Sequence, residues 1–406
     1  MSEIALWAAS GAMALTGRAD GPPEVAPGRP ATAVRDALDR LERRHPEAPL
    51  PDVRLLGERA AVAGLRRNAP WSCGGAFRAL ATRDGHLGLS LPRPTDVESV
   101  PALVEGPVEE PWAAVAAWAA RTTTEAAVER ARLLGLACTA VSRTTAGAKP
   151  TEPPRPPVVE TPGGARHAAR ERPLVVDFTS LWAGPLCAHL VAACGADVVK
   201  VESTRRLDGA RRGPAAFYDL LHAGHQSVTV DFSAPGELAA LRSLVEGADL
   251  VLEASRPRAL QRLGLHADRL VDHGVSWVSI TAYGRDSDAV GFGDDVAAGA
   301  GLVTADRAPC GDALADPLAG VTAAAHAVEA LHSDHAVLVD LSMHHVAAAA
   351  STCPMEEHEV HRRDDRWWVE CADGLLLVSD PEPRAPRGRA AAAGEHNHLL
   401  ATAAAR

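Results

Sequence analysis

Lysine is almost missing from this 406-residue sequence: Lys149 and Lys200 are the only two, so nearly all of its 41 basic side chains are arginine. Beside heavy use of Ala, Gly and Pro, this reads as coding bias. With 52 acidic residues the formal charge is −11, which argues against nucleic acid as a partner, because that binding rests on clustered cations neutralising phosphates. Aromatics are only 4% of the chain, too few to build a stacking cage for a planar ligand. The seven cysteines are scattered and never spaced CxxC, the usage expected of reduced thiols in a cytoplasmic protein. No stretch approaches the roughly 18 apolar residues of a membrane span. The apolar run Ile4–Leu15 lacks a basic leader, since Glu3 precedes it, and Gly17-Arg18-Ala19-Asp20 is no cleavage site, so a secretion signal is not expected. There is no Walker loop, HExxH or GxSxG, and a single glycine in Thr179–Pro185 excludes the GxGxxG dinucleotide loop. His344-His345 and the His358/His361 pair are expected to be solvated, with no metal site.

What is present divides the chain. Length alone suggests two to three domains at about 150 residues each. Residues 149–172 pack Pro, Gly and charge without periodicity and read as a linker. Residues 1–148 before it show helical patterns near 31–44, 54–66, 111–121 and 124–135, with a strand pair at 77–81 and 87–91 turning at Asp84-Gly85. From 173 to 352 short β-rich runs (174–179, 197–202, 227–232, 249–255, 275–284, 336–342) alternate with helical ones. That alternation predicts an α/β fold with a parallel, doubly wound sheet flanked by helices, beside a smaller, mostly helical α+β part before the linker. Residues 353–406 are expected to give a short strand pair and a flexible or marginally helical tail. Weak internal echoes pair 8–17 with 297–306 and 71–91 with 366–380, consistent with duplication, rearrangement or Ala/Gly bias. Ligands of a doubly wound sheet sit at the carboxyl ends of its strands, which directs attention to the turns after Thr179, Glu202, Glu253 and Thr281.

The ordered strings VVDFTSLWAGPLCAHLVAACGADVVKVE (175–202), HQSVTVDF (225–232), ADLVLEASRPRALQRLGL (248–265), WVSITAYG (277–284) and GDALADPLAGVTAAAHAVEAL (311–331) carry a resemblance. This part of the chain, about 172–350, resembles the class III CoA-transferase (CaiB/BaiF) family, which includes formyl-CoA and carnitine CoA-transferases and 2-methylacyl-CoA racemases. Residues 7–23 and 74–139 look like family segments that normally lie further along, as though rearranged or duplicated. The resemblance implies a Rossmann-like large domain, an interlocked homodimer, acyl-CoA and a carboxylic acid as substrates, and no permanently bound cofactor.

The family's nucleophilic aspartate stands in D-x-x-x-G, which here is Asp316-Pro317-Leu318-Ala319-Gly320. Pro317 suits the first turn of a helix and Asp316 its N-cap, where backbone N–H groups and the helix dipole would hold the carboxylate anionic. An ionised carboxylate can attack a thioester through an aspartyl anhydride and an aspartyl-CoA thioester. A plain helix cap is the competing reading, and Asp312 is the fallback candidate. For the CoA moiety the resemblance implies Trp182 and Ala183 after the first strand, Ala254 and Ser255 after the fourth, and Ile280, Thr281, Ala282 and Tyr283 after the fifth. It adds Arg262, whose fork suits phosphate, and Arg205 in a basic loop with Arg206, Arg211 and Arg212.

Several positions depart from the family pattern. Its Asn-x-x-Lys-Arg-Ser is His222-Ala223-Gly224-His225-Gln226-Ser227 here, so His225 takes a basic contact position. Its Asn-Phe is Ala254-Ser255, and its Gly-aromatic-Gly is Ala282-Tyr283-Gly284. The alternative activity, α-methylacyl-CoA racemisation, would want a histidine in GFGDDVAAG (291–299), where Asp294 and Asp295 stand instead. A second alternative is a non-catalytic acyl-CoA-binding or partner subunit. It draws on these departures and on GRPATAVRDAL (28–38), which lacks the motif's aspartate and would make the amino-terminal half catalytically silent.

Overall fold

The computed structural model describes residues 1–141, 155–168 and 170–404. Its centre is a seven-stranded sheet in the order β4-β10-β9-β8-β5-β6-β7. These strands are β4 (Val158–Ala165), β5 (Leu174–Asp177), β6 (Asp197–Ser203), β7 (Gln226–Val230), β8 (Leu250–Glu253), β9 (Ser276–Thr281) and β10 (His335–Ser342). All neighbouring pairs are parallel except β4 with β10. A parallel sheet is buried on both faces, and every residue of β8 and β9 is buried. Alternation along each strand splits the interior in two. Val175 joins a core with α8 (Ala183–Ala193) and α14 (Ala315–Leu331), while Val176 joins one with α10 (Pro235–Glu246) and α12 (Ala267–Asp272). The remaining helices of this part are α9 (Ala215–His222), α11 (Pro257–Gln261), α13 (Gly293–Gly299) and α15 (Met343–Ser351).

Before the sheet come α1 (Glu3–Ala9), α2 (Pro30–Arg44) and α3 (Leu55–Ala63), then β1 (Phe77–Ala81), β2 (His86–Ser90), α4 (Pro94–Glu98), α5 (Val100–Val104), α6 (Pro111–Ala119), α7 (Thr124–Leu133) and β3 (Ala137–Ala140). The first three helices do not form a unit of their own. Trp7, Val34, Leu38 and Leu56 pack in the same core as α8 and α14. Residues from Leu80 to Cys138 have a separate small core around the β1-β2-β3 sheet. After α15 comes an antiparallel meander of β11 (Glu359–Arg363), β12 (Arg366–Cys371) and β13 (Gly374–Leu377), followed by α16 (His398–Ala404).

Three stretches differ from their sequence reading, the strand pair expected within 353–406 being the three-stranded meander β11-β12-β13. Part of the expected linker, 158–165, is an edge strand, and its glycines explain how: a Cβ on Gly163 would meet Val271 backbone atoms at 2.6 Å, and one on Gly164 the Asp272 oxygen at 2.2 Å. Glycine there permits close passage beside α12. The tail is docked: His396 N–H donates to Ser227 O at 2.9 Å, Asn397 Oδ1 accepts from Thr229 N–H at 2.8 Å, and Leu400 is buried against the α10 side. It covers the otherwise open β7 edge, a long-range pairing that composition cannot reveal. The linker residues 149–154 lie outside the described residues.

Candidate active site

Four carboxylates gather where the N-terminus of α14 meets that of α13: Asp294, Asp295, Asp312 and Asp316. The chain reaches α14 through a tight turn in which Gly311 and Ala313 take left-handed backbone angles (φ 65° and 43°). Such strain in a non-glycine residue persists only where its surroundings hold it. Here the Ala313 N–H donates to Asp294 Oδ1 at 3.0 Å and the Gly311 N–H to Thr16 Oγ1 at 2.8 Å. Helix α14 begins at Ala315, so Asp316 lies inside its first turn rather than at the N-cap, which is Leu314.

Arg59 of α3 is the cation of the cluster. It forms a two-pronged ion pair with Asp312, whose side chain is fully buried, with Nε donating to Oδ2 at 2.8 Å and Nη2 to Oδ1. The Cys73 thiol donates to the same Oδ1 at 3.1 Å. Trp182 supports the guanidinium from beneath, 5.1 Å from its ring centroid, and is itself held edge-on by Phe217. Asp295 is wholly buried and accepts from the Ser90 hydroxyl at 2.8 Å and the Phe292 N–H at 3.0 Å. Asp294 and Asp316 are the two that retain an opening to solvent.

Crowding sets the protonation. Desolvation in the packed cleft is the largest influence on Asp316, with Arg59 opposing it and Asp294 and Asp312 adding to it, so its pKa is pushed up to about 7. Asp294 is raised to about 6, chiefly by desolvation and then by Asp312. Burial takes Asp295 to about 7, with the Ser90 hydroxyl the largest counterweight. The helix-start environment therefore does not keep Asp316 fully anionic at neutral pH, as had been expected from the dipole alone; desolvation outweighs it. Gly293 is required by this packing, because a Cβ there would lie 2.2 Å from Ala313 O and 2.5 Å from Asp316 Oδ2.

The expected CoA contacts are placed unevenly. Trp182 and Ala183 are buried, Trp182 serving as the floor under Arg59. Ile280, Thr281 and Ala282 are buried at the carboxyl end of β9, where the Thr281 hydroxyl accepts from the Gly284 N–H at 2.8 Å. Tyr283 is half-buried, with the Arg132 guanidinium 5.5 Å from its ring centroid. Ala254 is exposed and Ser255 half-exposed after β8. Arg262 is exposed, and exposed Arg205 donates to Ser233 Oγ at 2.8 Å; neither hydrogen-bonds to the acid cluster. His225 departs from expectation: it is 5% exposed, both ring nitrogens lack partners, and burial lowers its pKa to about 3, so it is neutral and cannot serve as a cationic contact.

Residues of the amino-terminal part that sequence reading had left silent, Arg59, Ser72, Cys73 and Ser90, all reach the cluster. One signal was available for Arg59: it and Glu58 are the only charges in the otherwise apolar helix LLGERAAVA. Among the described residues one His/carboxylate group has ligand atoms within 4.8 Å of one another, Glu160, His326 and Glu329. Arg40 already engages Glu329 through both oxygens, at 3.2 and 2.7 Å.

The chain is 29% identical over 208 residues to a succinyl-CoA–D-citramalate CoA-transferase of Chloroflexus aurantiacus, covering 46% of this chain and 52% of that protein. It is 36% identical over 152 residues to a probable fatty acyl-CoA transferase of Mycobacterium tuberculosis, covering 34% of this chain and 38% of that one. It thus spans about half the length, or less, of these curated relatives. A solved CaiB/BaiF family protein of Brucella suis aligns at 23% identity with a TM-score of 0.41, over 51% of this chain and 65% of that one. The sequence model of CoA-transferase family III matches residues 173–379, just over half of the chain and the segment that holds six of the seven strands of the sheet, α13 and α14, and the chain therefore belongs to CoA-transferase family III.

Proposed function

We propose that this protein transfers CoA between an acyl-CoA and a carboxylic acid, with Asp316 as the nucleophile. The observation that carries the reading is that, of four clustered carboxylates, Asp316 and Asp294 alone open to solvent, while Asp312 is fixed by Arg59 and Asp295 by Ser90. An Asp316 oxygen attacks the thioester carbonyl and expels CoA thiolate, leaving a mixed anhydride. The thiolate then attacks the aspartyl carbonyl, which releases the first acid and forms an aspartyl-CoA thioester. The incoming carboxylate attacks that thioester and again expels the thiolate, which captures the new acyl group and regenerates Asp316. Arg59 offsets the negative charge beside the reacting carboxylate, and it and, to a smaller degree, the Gly293 backbone N–H favour the ionised form.

The surplus of acids over cations favours an uncharged acyl chain over one carrying a second carboxylate. Family membership supports a homodimer, and light scattering on the purified protein tests it. A second reading, proton transfer at the α-carbon of an acyl-CoA, is favoured by the neighbouring Asp294 and Asp316, whose pKa values are raised to about 6 and about 7, the first suited to act as base and the second as acid.

Intact-mass spectrometry after mixing with a panel of acyl-CoAs and quenching with hydroxylamine or borohydride tests the transfer reading, with Asp316→Ala in parallel. A modification at Asp316 that the variant lacks supports transfer. Solvent deuterium at the α-carbon without an adduct selects the second reading. Neither adduct, exchange nor CoA binding would leave a non-catalytic relative.

A further inference from the structure

A cleft of about 240 Å³ lies apart from the carboxylate cluster, lined by His189 of α8, Leu220 of α9, Pro49 and Leu50 of the loop after α2, and Arg384 and Arg387 of the tail. Helix α3 separates the two: Arg59 turns to the acids, and its neighbour Glu58 turns to Arg384. Glu58 is buried and takes both its oxygens to the Arg384 guanidinium, Oε2 at 3.1 Å. Arg384 Nη1 also lies 3.3 Å from His189 Nε2. Among the described residues Arg387 has no carboxylate partner, and its one hydrogen bond is a 3.4 Å contact to Pro49 O. Glu58 thus neutralises Arg384, whose charge also acts on Asp52, His189 is uncharged, and Arg387 is the guanidinium left without a bonded carboxylate among the described residues.

Behind it is polar interior without partners. His222 and His225 are 2% and 5% exposed, Tyr218 is 6% exposed, and no ring nitrogen of either histidine nor the tyrosine hydroxyl has a hydrogen-bond partner. Buried polar atoms are rarely orphaned, and these five cluster together in the interior near His189 without themselves lining the cleft. His189 is held neutral, its pKa lowered to about 4 by burial and then by Arg384 and Arg387, a cost that an anion between them would relieve.

We propose that this cleft binds a phosphate group. Guanidinium forks match phosphate oxygens in pairs, and two of them, Arg384 and Arg387 of the tail, converge on the cleft beside the His189 imidazole of α8. The phosphate could be borne by a free small anion or by the nucleotide end of CoA, and the two are separated by the probe. The inference does not depend on the chemistry at Asp316.

Isothermal titration at low salt, with inorganic phosphate, 3′,5′-ADP and acetate as separate probes, tests it on the full chain and on Arg387→Gln. Arg387 is exposed and lies outside both cores, so this variant is expected to fold; His189→Phe is a second variant that removes the imidazole beside Arg384 while keeping both Glu58 and Arg384. Loss of one charged donor corresponds to about a tenfold weaker affinity. Phosphate binding that weakens about tenfold in Arg387→Gln supports the site. Tighter binding of 3′,5′-ADP with the same dependence assigns the phosphate to a nucleotide, and equal or weaker binding assigns it to a free anion. No heat with phosphate or 3′,5′-ADP, acetate binding equal to phosphate, or phosphate binding unchanged in both variants would overturn it.

Discussion

Replacing Arg59 with methionine removes the cation from the carboxylate cluster while keeping an apolar stem over Trp182. Asp312, with a fully buried side chain, would lose both donors of its ion pair. Breaking a buried pair on one side costs about 3–5 kcal/mol, and because 32% of the Arg59 side chain is exposed, the lower end, about 3 kcal/mol, is expected. That is a large share of the roughly 5–15 kcal/mol that holds a native protein together. The loss should depend on pH. Asp294 and Asp316 already titrate in the folded state near 6 and 7, above the carboxylate value of the unfolded chain, and Arg59 is what restrains both. Carboxyls with raised folded-state pKa values contribute stability that is complete at low pH and lost as pH rises through those values. Without Arg59 they rise further, so the deficit should be larger at pH 8 than at pH 5. Urea unfolding of the protein, the Arg59→Met variant and the Arg59→Met/Asp312→Asn double variant at both pH values reads this directly. The double variant should recover about 2 kcal/mol by removing the stranded charge. A deficit below about 1 kcal/mol, or one equal at the two pH values, would refute the reasoning.

If Asp316 must be ionised to attack, kcat/KM for acyl exchange should rise about tenfold per pH unit up to roughly 7 and then level; a plateau reaching down to pH 5 would contradict this. Gly293→Ala should cost about 1–3 kcal/mol and abolish adduct formation at Asp316, since its Cβ would strike Ala313 O and Asp316 Oδ2, as read by thermal unfolding and intact mass. Gly236→Ala in the first turn of α10, where a Cβ meets nothing within 4 Å, should be neutral or stabilising by up to about 1 kcal/mol in the same melts. Ser90→Ala withdraws the hydroxyl from Asp295 and should raise that carboxyl's pKa beyond about 7, at a cost of about 1 kcal/mol, visible by NMR titration of a 13C-labelled sample.

The strands from β5 to β10 and most of the helices between β5 and α15 were legible in the sequence because each carries its own signal, while the short α9 and α13 were not read. Val-rich runs such as LVVD and SWVSIT are buried on both faces, and α10 and α12 end where their periodicity ends. The position of Asp316 at the head of α14 followed from DPLAG, since local order fixes which residues open a helix. Its protonation did not follow, because desolvation and the charges of Asp294, Asp312 and Arg59 come from segments up to 257 residues away in the chain. The same holds for the strand made from the Pro- and Gly-rich stretch at 158–165, for the tail that closes the β7 edge, and for the Arg384–Glu58 pair. Local propensity and periodicity act over a few residues and can be read from them. Burial, ion pairing and edge coverage depend on which distant segments share one volume, and the packing of α1–α3 against α14 decided that here.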